Sequence, residues 1–208
     1  MRNRGLILLF AVLALAGCGG GENAASEPTP SGGVTVVTTE PVAAPPSTAP
    51  AVPSFGAKCS ASSLSADLPA QDGLPEAVAT LRDRIAAVAV ACDYDALQAL
   101  ALEGDSGFTA SYGSETSAAD FWRGEEERGG KPLARLVQIL ATPFGRNEAN
   151  FYAWPSAYTD SPTGAQWQSL EGIYTPDEIA SFKELGSYLG YRVGITPAGD
   201  WQFFVAGD

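Results

Sequence analysis

From residue 74 onward, apolar positions recur at the three-then-four spacing of a helix face. Val78, Leu81, Ile85, Val88 and Cys92 fall on one side of a helix that opens at Leu74-Pro75. Proline fits the first turn, where its missing N–H has no helical partner to lose. Asp93 then caps a second helix carrying Tyr94, Leu97 and Leu100, with Gly104 ending it. Phe108 to Tyr112 reads as a short strand. Ser117-Ala118-Ala119-Asp120 resembles a capping box opening a helix through Phe121 and Trp122, which Gly129-Gly130 closes. Pro132 starts another helix, with Leu133, Leu136, Val137 and Leu140 at helical spacing and Pro143 as its stop.

The second half changes period. Asn150 to Trp154 reads as a strand, and 155–170, rich in Pro, Ser, Thr and Tyr, as a loop. Thr175-Pro176-Asp177-Glu178 combines a Thr cap, Pro at the first position and Glu three residues after the cap. Ile179, Phe182 and Leu185 give that helix its buried face. Tyr191, Val193 and Ile195 alternate on one strand and Trp201, Phe203 and Val205 on the next, with Pro197 to Asp200 as the turn. Helices come first and strands mostly later, with no regular βαβ alternation. The expected fold is therefore α+β: a single domain of N-terminal helices packed on a small antiparallel sheet that ends in a C-terminal β-hairpin.

The chain's beginning is of another kind. Arg2 and Arg4 precede an apolar run from Leu6 to Leu15, about half the length that a bilayer-spanning helix needs. Its length and flanks fit the core of an export signal. The run ends in Leu15-Ala16-Gly17-Cys18, which resembles the bacterial lipobox. The resemblance implies diacylglyceryl transfer to the Cys18 sulfur and cleavage between Gly17 and Cys18. Two or more acyl chains give stable anchoring without a transmembrane helix. Residues 18–57 are dominated by small residues, Ser, Thr and Pro, and Phe55 is their only aromatic. Such a segment buries too little apolar surface to offset its ordering entropy, so it reads as a disordered tether about 30–35 Å end to end. The expected organisation is 1–17 signal peptide, 18–57 lipid-anchored tether and 58–208 globular domain. Val34 to Thr39 has strand propensity, but no neighbouring pattern supports a strand there.

Charge and cysteines narrow the function classes. The net charge is −12, and removing residues 1–17 takes away two arginines and no acid, leaving −14. Phosphate backbones repel such a surface, so no nucleic-acid partner is expected. With Cys18 lipidated, Cys59 and Cys92 form an even pair in a chain addressed to an oxidising compartment, which predicts a disulfide. It closes a loop of about 34 residues and contributes about 3–4 kcal/mol. Two buried free thiols are the alternative.

The chain has no histidine. That removes the imidazole base on which Ser and Cys nucleophiles depend, and it weakens any zinc site. No G-x-S-x-G elbow, S-x-x-K pair or P-loop occurs. Neither a metal nor a cofactor is expected. Carboxylates remain. Asp93-Tyr94-Asp95 lacks the further oxygen ligands of a calcium loop and reads as a cap. Glu125-Glu126-Glu127 reads as a solvated helix face. Phe151, Tyr152, Trp154, Tyr158 and Trp167 concentrate around the 155–170 loop. Tyr152, Trp154, Tyr158 and Trp167 are candidate ligand-binding residues for a sugar or peptide, with core packing as the competing role. Gly186, Gly190 and Gly194 serve turn and strand geometry.

The ending from Tyr188 through Ile195, with Gly199 to Asp208 and Ala91 to Leu97, resembles uncharacterised exported lipoproteins of actinobacterial type. That resemblance implies location and domain type only. The element order is also loosely similar to the cone-shaped nuclear-transport-factor-like fold. The leading expectation is an extracytoplasmic binding or interaction domain, held to the cell membrane by a lipid on Cys18, with a cell-wall or envelope-protein partner. The alternative is a carboxylate-based hydrolase of envelope glycans. A purely structural envelope component is the third.

Overall fold

The computed structural model describes residues 58–104, 107–111 and 116–207. The expected leader, Cys18, the tether and Tyr112 lie outside the described residues. The architecture is α+β, as the pattern implies. Four helices come first: α1 (Glu76–Val90), α2 (Tyr94–Ala101), α3 (Ala118–Glu127) and α4 (Pro132–Leu140). The strands β1 (Gly145–Arg146) and β2 (Tyr152–Trp154) follow, then α5 (Gly164–Gln168) and α6 (Pro176–Leu185), then β3 (Arg192–Ile195) and β4 (Trp201–Val205). The sheet is antiparallel with the strands in chain order.

Most helix starts follow the local chemistry. The Asp93 side chain accepts from Ala96 N–H at 2.9 Å, so the D-x-D acid is a cap. Ser117 accepts from Asp120 N–H at 3.1 Å. Thr175 and Glu178 form the reciprocal box before α6, with Pro176 at the first helical position. Accepting the Thr175 N–H holds the Glu178 carboxyl below its usual range. Several details depart from expectation. Cys92 lies just past α1, in the left-handed region at φ 57°, rather than on its face. The presumed 155–170 loop contains α5, opened by a Thr163–Gln166 capping box. Leu185 is exposed, because α6 is anchored only by Ile179 and, in part, Phe182. Helix α2 ends at Ala101. Gly104 instead permits close approach, since a Cβ there would lie 2.9 Å from the Asp200 Cβ.

The C-terminal hairpin forms, but its alternation is broken. Gly194 pairs with Phe203 and Ile195 with Trp201, so Gln202 is an extra residue in β4. The bulge turns both Trp201 and Phe204 into the core, whereas strict alternation would have placed Phe203 beside Trp201. Phe203 covers Gly194 from the opposite face; any Cβ there would meet the ring at 2.2 Å. At the outer edge of β4, Thr109 adds one parallel bridge.

Helices α1–α4 and the inner sheet face enclose one core, in which Trp122 and Trp201 stack with centroids 5.9 Å apart. Cys59 and Cys92 are joined as expected, with Cα atoms 5.6 Å apart. Glu126, expected on a solvated face, turns inward to the start of α4. That start has no cap of its own, because Lys131 sits at φ 52° with no side-chain cap hydrogen bond. Glu126 accepts from Ser60 N–H, Ser60 Oγ–H and Leu133 N–H, and Ser60 Oγ accepts from Ala134 N–H at 2.9 Å. Arg82, 2% exposed, donates to Leu140 O and Pro69 O and ties α1 to the end of α4. Burial pushes its pKa down.

A second apolar cluster gathers Trp167, Leu170, Tyr174, Ile179 and Tyr188. Its polar atoms close a ring. Tyr191 N–H donates to Tyr174 Oη, Tyr174 and Tyr188 hydroxyls meet at 2.9 Å, and Tyr188 O–H donates to Tyr191 O. Because the Tyr188 proton is committed, Tyr174 is the donor between the two hydroxyls. Gly190 is required there, since a Cβ would sit 2.4 Å from the Tyr174 oxygen.

Candidate functional site

An open cleft of about 450 Å³ lies between the C-terminal end of α2, the segment 108–111 and the N-terminal end of α3. Helix α2 contributes Gln98 and Ala101, with Leu102 just beyond it. The edge segment contributes Phe108, Thr109, Ala110 and Ser111. Thr116, Ser117, Ala118 and Phe121 complete the lining. None of the described lining residues carries a formal charge. Leu102 is 67% exposed, which leaves an apolar side chain at the mouth. Beneath the cleft, Phe108 packs edge-on against Trp201 at 4.8 Å and Trp122 at 6.0 Å.

The polar groups are oriented by the fold. Gln98 Oε1 accepts from Ala119 N–H at 3.1 Å, satisfying one orphan donor of the first turn of α3. An N–H can only donate, so the amide is fixed with its oxygen toward α3. The Gln98 NH2 group has no hydrogen-bond partner among the described residues. Ser117 Oγ both accepts from Asp120 N–H and donates to its carboxylate. Thr109 spends its N–H and C=O on Gln202 O and Phe204 N–H.

The described acids at the rim, Asp95 and Asp120, are engaged. Asp120 bonds Ser117 and pairs with Arg123 at 3.3 Å, and Arg123 also grips Asp95 at 2.5 Å. The bond to Asp95 raises the Arg123 pKa. This clamp joins α2 to α3 and lays the guanidinium 5.1 Å over Tyr94, whose hydroxyl pKa burial raises. The arrangement can bind an uncharged ligand. Among the described lining residues there is no carboxylate.

The aromatic candidates line no common face. Trp154 is fully buried, and its Nε1–H donates to Gln71 Oε1 at 3.2 Å. Tyr152 is buried in the main core with Arg146 3.9 Å over its ring, and Trp167 belongs to the second cluster. For these three the packing role holds and an open platform does not, because their faces are spent on neighbours. Tyr158 is half-buried, between Arg192 at 5.0 Å and Phe203 at 6.3 Å. Sequence reasoning missed the cleft. Its best local signal was Gln98, a polar residue one position from the buried Leu97 stripe.

Among the described residues no helix is long and apolar enough to cross a membrane, and no cluster of acids and cysteines could hold a metal ion. No family model, curated protein or solved structure matches the chain. The likeness to nuclear-transport-factor-like cones is not confirmed.

Proposed function

We propose that this chain is an exported lipoprotein, anchored through a lipid on Cys18, whose folded part binds an uncharged ligand in the α2–α3 cleft. The anchor reading is supported by the basic start, the short apolar run and Leu15-Ala16-Gly17-Cys18. The Cys59–Cys92 disulfide supports an oxidising compartment. The binding reading is carried by one observation: a cleft of about 450 Å³ whose described lining residues are uncharged and include Gln98, its amide oriented by the bond from Ala119 N–H. Nothing favours the carboxylate-based hydrolase, since such an enzyme needs two acids facing each other across a sugar. Among the described residues, the rim carboxylates Asp95 and Asp120 are held by Arg123 and Ser117.

Fluorescence titration tests the binding reading, because Trp122 and Trp201 lie directly under Phe108. The titrants are uncharged peptides and neutral oligosaccharides. At least one binds with Kd below about 1 mM, and Leu102→Glu weakens it by about tenfold or more. Binding that Leu102→Glu leaves unchanged overturns the cleft. For the anchor, Cys18→Ser abolishes lipid labelling and releases the chain from membranes; unchanged retention overturns it.

A further inference from the structure

We propose that residues 155–190 form a strap that lifts from the outer face of the sheet as one cooperative unit while the stapled α1–α4 core stays folded. The strap leaves the sheet after Trp154 and returns at Tyr191. Trp154 pairs with Val193, so the two feet stand on neighbouring strands and lifting leaves the β2–β3 ladder intact. The strap carries its own apolar cluster of Ala157, Trp167, Leu170, Tyr174, Ile179 and Tyr188, separate from the main core. The hydrogen-bonded ring of Tyr174, Tyr188 and the Tyr191 backbone closes within the strap and its root, so it takes nothing from the sheet. A contiguous segment with its own packing and hydrogen bonds opens as a unit.

Beneath it lies the sheet face that the main core does not use. Ala153, Gly194 and Phe203 are register partners, and Arg192 and its partner Val205, two residues along, share their side. Ala153 and Val205 are buried although neither belongs to the main core. The strap meets this face through Tyr158, whose ring lies edge-on to Phe203 at 6.3 Å and beneath the Arg192 guanidinium at 5.0 Å. At one foot Ser156 N–H donates to Pro143 O at 2.7 Å, and at the other Gly207 N–H donates to Leu189 O at 3.0 Å. Arg135 lies 4.6 Å over Tyr174, and Ile173 adds an apolar contact with the main core. Neither α5 nor α6 packs extensively on another helix or strand. Hydrogen bonds and cation–π contacts are exchanged for contacts with water at a small net loss, whereas opening the main core exposes large apolar side chains. Lifting the strap therefore uncovers Arg192 and Phe203 at a lower free energy than the core opens.

Hydrogen exchange resolved by residue, on the complete chain in detergent at rising sub-denaturing urea, tests this. The Trp167, Tyr174 and Ile179 amides are hydrogen-bonded within the strap and should share one protection factor and one urea slope. Their protection should lie at least about hundredfold below that of the buried α1 and α4 amides. Tyr158→Ala should lower strap protection by about tenfold or more and leave α1 and α4 unchanged. Tyr158→Phe keeps the ring under Arg192 and should stay within about twofold of the native chain. Phenylglyoxal reads the uncovered cation: Tyr158→Ala should speed modification of Arg192 by the same factor as it speeds strap exchange. A single protection factor and slope shared by strap and core amides overturns the proposal. So do unequal slopes among the three strap amides, a loss of core protection in Tyr158→Ala as large as that of the strap, or an unchanged rate of Arg192 modification.

Discussion

Ser60 and Glu126, 66 residues apart, are joined by two hydrogen bonds to one carboxylate, from the serine N–H at 3.0 Å and its hydroxyl at 2.5 Å. The pair acts as a cap supplied from outside the helix it serves. Helix α4 begins at Pro132 after a left-handed Lys131, so Glu126 and Ser60 accept the free Leu133 and Ala134 N–H groups instead. A negative charge at that end also suits the helix dipole. The neighbouring disulfide holds Cys59, and with it Ser60, in place.

Glu126→Ala should therefore destabilise the protein by about 1–3 kcal/mol, since it leaves buried donors of α4 and Ser60 without an acceptor. Glu127→Ala, at an exposed position of the same acidic run, should change stability by less than about 0.5 kcal/mol. Urea unfolding of the two variants measures the difference. Equal effects would return Glu126 to a solvated face.

This contrast marks what a sequence can carry. Caps at Asp93, Ser117 and Thr175 were legible because each serves its own helix within three residues. Glu126 was not, since three consecutive glutamates look alike until a distant segment selects one. The Gln202 bulge was hidden for a related reason: Trp201-Gln202-Phe203-Phe204-Val205 fits either register, and the pairing of Ile195 with Trp201 decides. The cleft escaped altogether. Its walls come from three elements, and its lining is ordinary Ala, Ser, Thr and Leu without a motif.

The staple and the cap should be coupled. Replacing both Cys59 and Cys92 by alanine frees the segment bearing Ser60 and should cost about 2–5 kcal/mol. Adding Glu126→Ala to that variant should cost less than in the native background, a non-additivity above about 0.5 kcal/mol. A double-mutant cycle reads it directly. Simple additivity would show that the disulfide does nothing for the cap. Alkylation adds a check: neither Cys59 nor Cys92 reacts without reductant.

Two arginines two residues apart in α1 should behave oppositely. Arg82 is buried and supplies donors to Leu140 O and Pro69 O. Arg82→Met strands both carbonyls and should lose about 2–4 kcal/mol. Arg82→Lys should recover only part of this, because a single ammonium lacks the fork of donors that reaches both. Arg84 pairs with Glu103 at 2.7 Å, but both side chains are about half exposed. Arg84→Ala should therefore lose less than about 1 kcal/mol. Denaturation midpoints of the three variants at neutral pH decide the point.

Alkaline pH should unfold the protein through the buried hydroxyls of Tyr174, Tyr188 and Tyr191. Burial raises the Tyr174 hydroxyl pKa, raises that of Tyr188 well above the usual value, and pushes Tyr191 up to about 12. The folded state then holds these protons at pH values where the unfolded chain has released them. Each group's stabilisation is full below the unfolded value of about 10 and is lost as pH rises through the folded value. Urea midpoints should be flat with respect to these tyrosines up to about pH 10 and fall steeply beyond it. Tyrosinate absorbance should show the same groups titrating only as the fold is lost. Tyr191→Phe removes one of these ionisations and should make the alkaline slope shallower without altering the ring that links Tyr174, Tyr188 and the Tyr191 backbone. Tyr188→Phe leaves the Tyr174 hydroxyl proton without its acceptor and the Tyr191 carbonyl without its donor, so it should cost about 1–3 kcal/mol already at neutral pH. An alkaline profile that Tyr191→Phe leaves unchanged would mean that other groups drive the transition.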